Sequence, residues 1–172
     1  MNHHPDSMFE GNRKGVQVAE LRRTIQTQSA EETLSLGRDV GGHLRGGEII
    51  LVTGDLGAGK SVFAHGVAQR LGVDRWRGSP TFALLHEYAS TPALIHVDLY
   101  RLGAEEAADL GLEEYAVPTS ILLVEWADRA SEYLRSLSST GFVEVHLGHA
   151  RGDTRAVAIA MDSERESQGD AC

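Results

Sequence analysis

The segment Gly54-Asp55-Leu56-Gly57-Ala58-Gly59-Lys60-Ser61 has the spacing G-x-x-x-x-G-K-[ST] of a phosphate-binding loop. The chemistry requires these residue types. The glycines let the backbone curl until successive N–H groups, carried by Asp55, Leu56, Gly57, Ala58 and Gly59, point inward at phosphate oxygens. A helix opening near Lys60 adds its positive N-terminal end. The Lys60 ammonium then reaches the β- and γ-phosphates of a nucleotide such as ATP or ADP, and the Ser61 hydroxyl ligates Mg²⁺. The bland alternative is a glycine-rich turn without a ligand. Context disfavours it, because the motif follows an apolar strand-like run and opens a helical pattern. Lysine usage agrees: of 16 basic residues only Lys14 and Lys60 are lysine, and Lys14 falls in a polar, patternless stretch.

A phosphate loop does not hydrolyse anything by itself, so carboxylates at strand ends come next. Asp98 follows the run Ala93-Leu-Ile-His-Val97, and Glu125 follows Ile121-Leu-Leu-Val124. Apolar strands that end in an acid place carboxylates beside a bound Mg²⁺. Acids after strands are common, and the bland reading of each is a helix cap or a surface charge; together in a chain with this loop, both are expected to face the site. Asp98 is expected to hold the metal through water, and Glu125 either to share the metal or to orient the attacking water. Thr81, in Gly78-Ser79-Pro80-Thr81, lies where a switch-like loop can sense a γ-phosphate, or simply precedes a strand. Trp126 can stack on a base or a partner, or belong to the core. His96 and Asp98 share a strand face, without a further ligand cluster for a transition metal, while His146 and His149 read as hairpin residues. Arg101 is the candidate for an arginine finger in cis; a partner can supply one in trans.

The elements that must position these residues follow from periodicity. A short edge strand is expected at Arg23–Thr27. A helix follows over Ala30–Leu44, capped by Thr27 or Ser29 and closed by Gly46-Gly47. Glu48–Thr53 reads as a strand buried on both faces, and Lys60–Leu71 as the helix after the loop, stopped by Gly72. The four residues between Thr81–Tyr88 and Ala93–Val97 are too few for a parallel crossover, so these runs form an antiparallel hairpin. A helix over Ala104–Leu110, the buried strand Ile121–Val124, a helix over Ala127–Leu137 and a hairpin of Phe142–Leu147 with Arg155–Met161 complete the pattern. The expected fold class is therefore α/β, a P-loop NTPase-like mixed sheet flanked by helices and carrying antiparallel hairpins. It occupies residues 21–161 as one domain, with a flexible tail over 1–20 and a frayed one over 162–172.

Composition narrows the function classes. The chain has 172 residues, enough for one domain with a sizeable core. No run approaches the roughly 20 apolar residues of a membrane helix, and the first residues lack a secretory h-region. The single cysteine, Cys172, has no intrachain partner, which fits a reducing cytoplasm. A net charge of −9 opposes unaided wrapping of a nucleic acid backbone.

Beyond the loop, GDLGAGKS (54–61), SPTF (79–82), HVDLYRL (96–102) and LVEWADR (123–129) occur in the order and approximate spacing of the TsaE (YjeE) family, which the chain resembles over about residues 22–160. The resemblance implies a small ATPase supporting threonylcarbamoyladenosine formation at position 37 of tRNA. On that reading it acts on a TsaB–TsaD pair, hydrolyses ATP weakly alone, and meets tRNA only through those partners, without a membrane. It assigns Lys60 and Ser61 to phosphate and Mg²⁺, marks Asp98 and Glu125 as the needed carboxylates, and places Thr81 in the switch-like loop with Trp126 beside the site. The chain departs in having Val62 after Ser61 where the family usually has two threonines, in Ala127 where proline is common, and in a longer N-terminal stretch. Two other classes remain in view: a small-molecule kinase, whose lid would have to be Arg151–Arg155, and a nucleotide-gated interaction module that needs no hydrolysis. A GTPase is disfavoured because N-K-x-D is absent.

Overall fold

The computed structural model describes residues 21–137 and 140–163. The expected tail over 1–20 lies outside the described residues, as does the chain beyond 163. Strands β1 (Leu21–Thr27), β2 (Ile49–Gly54), β3 (Leu85–Tyr88), β4 (Ala93–Asp98), β5 (Ser120–Glu125), β6 (Gly141–His149) and β7 (Arg155–Ser163) form one seven-stranded sheet in the order β1-β7-β6-β2-β5-β4-β3. β6, β2, β5 and β4 run parallel. The margins are antiparallel: β1 and β7 beyond β6, and β3 beyond β4. This is the mixed α/β sheet that the sequence predicts.

Alternation along the central strands separates two cores. Ile50, Val52, Leu94, Ile121 and Leu123 pack on one face against Leu36 and Val40 of α1 (Ala30–Gly41) and Phe63 and Val67 of α2 (Lys60–Arg70). Ile49, Leu51, Ile95, Val97, Leu122 and Val124 pack on the other against Ala107 of α3 (Ala104–Ala108) and Leu134 of α4 (Ser131–Ser136). Each fully buried aliphatic side chain contributes about 1.5–3 kcal/mol, so the parallel centre is the most strongly anchored part of the sheet. Among the described residues no helix is long and apolar enough to cross a membrane.

Local chemistry sets the helix ends. Ser29, rather than Thr27, caps α1 by accepting from the Glu32 N–H at 3.1 Å, while Thr27 and Thr33 share a buried hydroxyl–hydroxyl bond of 2.7 Å. α1 stops at Gly41, short of the expected Leu44, because the glycine pair 41–42 weakens the helix there. Gly46 and Gly47 instead turn the chain into β2 at positive φ, and Glu48 stays outside the strand, accepting from the N–H groups of Arg45 and Gly46 at 2.9 and 2.7 Å.

Other boundaries also differ from expectation. β3 starts at Leu85, not Thr81: Leu84 takes φ 67° and its N–H donates to the Pro80 carbonyl at 2.6 Å, so the preceding residues form a turn. The helix expected over Ala127–Leu137 is a 3₁₀ turn at Ala127–Ala130 followed by α4, because Ala130 leaves helical geometry at φ −143°. α3 ends at Ala108, and Gly111, at φ 65°, leads into a 3₁₀ turn over Leu112–Glu114. β7 extends to Ser163, past the expected Met161.

The pairing of α1 with α2 depends on two glycines. A Cβ on Gly66 would stand 2.0 Å from the Leu34 carbonyl oxygen, and one on Gly37 would stand 2.2 Å from that of Phe63. Helix propensity alone favours Gly66→Ala by about 1 kcal/mol. The clash is expected to reverse that sign and leave a net loss of about 1–3 kcal/mol in urea unfolding. A gain in stability would show that the two helices do not meet at this distance.

Candidate functional site

β2 ends at Gly54, whose φ is 130°, and a Cβ there would lie 2.0 Å from the Leu147 carbonyl oxygen of β6. Glycine is thus required where the loop leaves the sheet. Gly57 and Gly59, at φ 75° and 102°, continue the curl, and Ala58 N–H donates back to the Asp55 carbonyl at 3.2 Å. Gly59 precedes α2 without any side-chain cap, so no side chain competes for the N–H groups of its first turn.

Lys60 is buried at the start of α2. Its Nζ donates to the carbonyls of Gly54 and Asp55, each at 2.7 Å, and stands 3.7 Å from the centre of the Trp126 ring. Burial pushes the ammonium below the ordinary lysine pKa, against the opposing pull of Glu125, Asp128, Asp98 and Asp55.

The two strand-end acids are neighbours. The register of β4 on β5 sets Asp98 opposite Glu125, and they are 3% and 2% exposed. Each is held by its own donors. Ser61 Oγ donates to Glu125 Oε2 at 2.9 Å, and His96 Nε2 lies 2.8 Å from Glu125 Oε1. Asp98 Oδ2 accepts from Ser79 Oγ and, at 2.9 Å, from Thr81 Oγ1, while Oδ1 accepts from the Tyr100 N–H at 2.9 Å. Glu125 is thus the carboxylate on the loop serine, and Asp98 is the carboxylate on the 79–81 turn. Thr81 thus faces this acid.

Trp126 adopts φ 58°, and its ring meets Lys60 on one side and Tyr100 at 4.8 Å. Arg101 reaches out over the Phe82 ring at 5.2 Å. Leu56, at the tip of the phosphate loop, is 72% exposed, and its carbonyl faces His149 Nε2 at 3.2 Å. His146 pairs with Thr53 at 3.0 Å, so the last hairpin leans on the phosphate loop. Beside the loop lies a cleft of roughly 340 Å³ lined by the first turn of α1, by Gly57, Gly59 and Val62, and by Asp153 and Arg155.

The residue types fit a nucleotide with Mg²⁺. Among the described residues no group of three or more His, Cys, Asp or Glu is placed to hold a metal alone. Mg²⁺ does not need one, since it keeps several waters and takes phosphate oxygens beside one or two carboxylates. Ser61, Glu125 and Asp98 supply an all-oxygen set of that kind, next to a loop whose helix end carries uncapped N–H groups.

The family described as Threonylcarbamoyl adenosine biosynthesis protein TsaE matches residues 27–157. The chain belongs to the TsaE family. It is 39% identical over 110 residues to the tRNA threonylcarbamoyladenosine biosynthesis protein TsaE of Bacillus subtilis, covering 63% of this chain and 69% of that one. With the protein of the same name from Treponema pallidum the identity is 36% over 115 residues, covering 66% and 85% of the two chains. The crystal structure of Bacillus subtilis YdiB superposes with a TM-score of 0.65 at 28% identity, covering 86% of this chain and 88% of that one. The chain is therefore a P-loop NTPase-like member of a family involved in tRNA threonylcarbamoyladenosine biosynthesis.

Sequence reading missed Ser79, His96 and the Tyr100 N–H as supports of the acids, and His149 as a contact of the phosphate loop. Ser79 stands two residues before Thr81, which is a usable hint. The Tyr100 N–H lies only two residues past Asp98 and is equally local. His96 and His149, by contrast, need the β4–β5 and β2–β6 registers, which no local pattern supplies.

Replacing Asp98 by alanine strips three donors of their shared acceptor. Asp98→Ala is expected to lower stability by about 1–3 kcal/mol and to speed amide exchange across residues 79–84. Unchanged exchange there would show that the turn is held by other means.

Proposed function

We propose that the chain binds ATP with Mg²⁺ and hydrolyses it, and that it does so in support of a TsaB–TsaD pair that carries out the tRNA modification. The observation that carries this reading is the Ser61–Glu125 hydrogen bond of 2.9 Å, which joins the phosphate loop to a buried carboxylate beside Lys60.

Ser61, Glu125 and Asp98 would hold Mg²⁺, which when bound supplies positive charge at the β- and γ-phosphates. The chain's own groups do the rest. The loop N–H groups and the start of α2 cradle the phosphates, and Lys60 exchanges its two carbonyl partners for phosphate oxygens. The neighbouring cleft takes the nucleoside. Glu125, buried and held on both oxygens, orients the attacking water or accepts its proton. Asp98 links the site to the 79–81 turn, so a change at the phosphates reaches the exposed Phe82 and Arg101. The net charge of −9 agrees with tRNA being handled by the partners. A kinase lid at Arg151–Arg155 finds little support, because Thr154 N–H and Ala150 N–H close that segment into a tight turn.

ATP hydrolysis by the purified chain is expected to be low and to rise with the cognate TsaB–TsaD pair. Lys60→Ala is expected to abolish turnover, a loss of about 10²-fold or more. Glu125→Gln is expected to cut turnover about 10²–10⁴-fold while nucleotide binding persists. Full tRNA modification by the Glu125→Gln protein would overturn required hydrolysis and favour the nucleotide-gated module.

A further inference from the structure

His96 is fully buried in the middle of β4, and one of its ring nitrogens, Nδ1, has no hydrogen-bond partner. A histidine present for packing alone would be a poor choice there, since an apolar side chain fills the same volume without an orphaned polar atom. The other nitrogen makes one contact, to Glu125 Oε1 at 2.8 Å. A carboxylate accepts, so Nε2 carries the proton and Nδ1 is the bare nitrogen. That tautomer is also the less costly one, because an unpaired buried N–H is the worse orphan.

The imidazole has little freedom to turn. The Trp76 ring stacks on it at 4.8 Å and 19°, and Trp76 is itself stacked on His65 and Tyr88 at 5.3 and 5.4 Å. A donor with a fixed direction sets the plane of the carboxylate it holds. With Oε1 anchored by His96, Oε2 is left facing Ser61 Oγ. The ring stack therefore runs from the outer edge of α2 through Trp76 and His96 to the acid on the phosphate loop.

We infer that His96 is a positioning residue for Glu125: its Nε2–H fixes the carboxylate so that the second oxygen serves Ser61 and the reacting phosphate. This inference rests on the ATPase reading of the site. It gives the histidine two residues before the strand-end aspartate a task distinct from metal binding.

The test compares His96→Leu, which fills the space without a donor, with His96→Gln, whose amide can donate from the Nε2 position. Hydrolysis is measured with the partner pair, beside wild type and Glu125→Gln. His96→Leu is expected to lose about 10–100-fold in kcat with KM for ATP little changed, and His96→Gln to recover most of that loss. Wild-type kcat in His96→Leu overturns the inference and leaves the ATPase reading intact. So does a His96→Gln protein that is folded but no better than His96→Leu. A wild type that is inactive with and without its partners overturns the ATPase reading and this inference with it. Independently of any variant, a long-range ¹H–¹⁵N spectrum of the wild-type imidazoles is expected to show His96 protonated at Nε2 and bare at Nδ1. The opposite tautomer cannot donate to Glu125 and overturns the inference outright.

Discussion

Everything at the site depends on β4 and β5 running parallel and in step. Their register sets Asp98 beside Glu125 at the carboxyl ends of two buried strands. Two neighbouring carboxylates with almost no water contact are costly unless each is well supplied with donors. The structure supplies them from separate parts of the chain. Glu125 draws on the first turn of α2 and on β4 itself, while Asp98 draws on the 79–81 turn and on the backbone just past β4. The two acids are thereby wired to different elements, although they sit side by side.

Lys60 is the positive member of this cluster. Burial works against its charge, and four acids work in favour of it. Its two carbonyl bonds and the Trp126 face satisfy the ammonium without neutralising any carboxylate directly. The surroundings therefore remain acidic, and a polyphosphate entering them meets like charge. In the proposed reaction that repulsion is what makes a divalent cation necessary, since one lysine cannot offset both the phosphates and two adjacent carboxylates.

The parts of this arrangement written locally were legible in the sequence. The phosphate loop declares itself by glycine spacing, and the strands leading to Asp98 and Glu125 by apolar runs that end in an acid. The hairpins follow from connections too short to cross over. What stayed hidden was non-local or conformational. Pairing His96 with Glu125 takes a strand register, because the two are 29 residues apart. The positive φ of Leu84 and Trp126 has no sequence mark, since neither is a residue type that favours that region. Leu84 accounts for the shortened β3, while Trp126 precedes the 3₁₀ turn that, with the break at Ala130, replaces the continuous helix expected over Ala127–Leu137. These two boundaries lie against the site, where local preference gives way to the geometry of the acids.

The 79–84 turn shows what that geometry entails. Its outer surface contributes little packing: Phe82 is 88% exposed and is met by Arg101 alone among the ring and cation contacts of the described residues. Its inner surface is tied down by hydroxyl groups converging on Asp98. Apart from the buried Pro80, the side chains of this segment hold it by polar bonds to one carboxylate, so it responds to whatever else that carboxylate binds. A competitor for Asp98 removes the bonds of Ser79 and Thr81 together, since both use the same oxygen. The exposed aromatic ring is thus coupled to the buried acid through two short side chains, and the strand end that carries the acid is itself fixed by the parallel core.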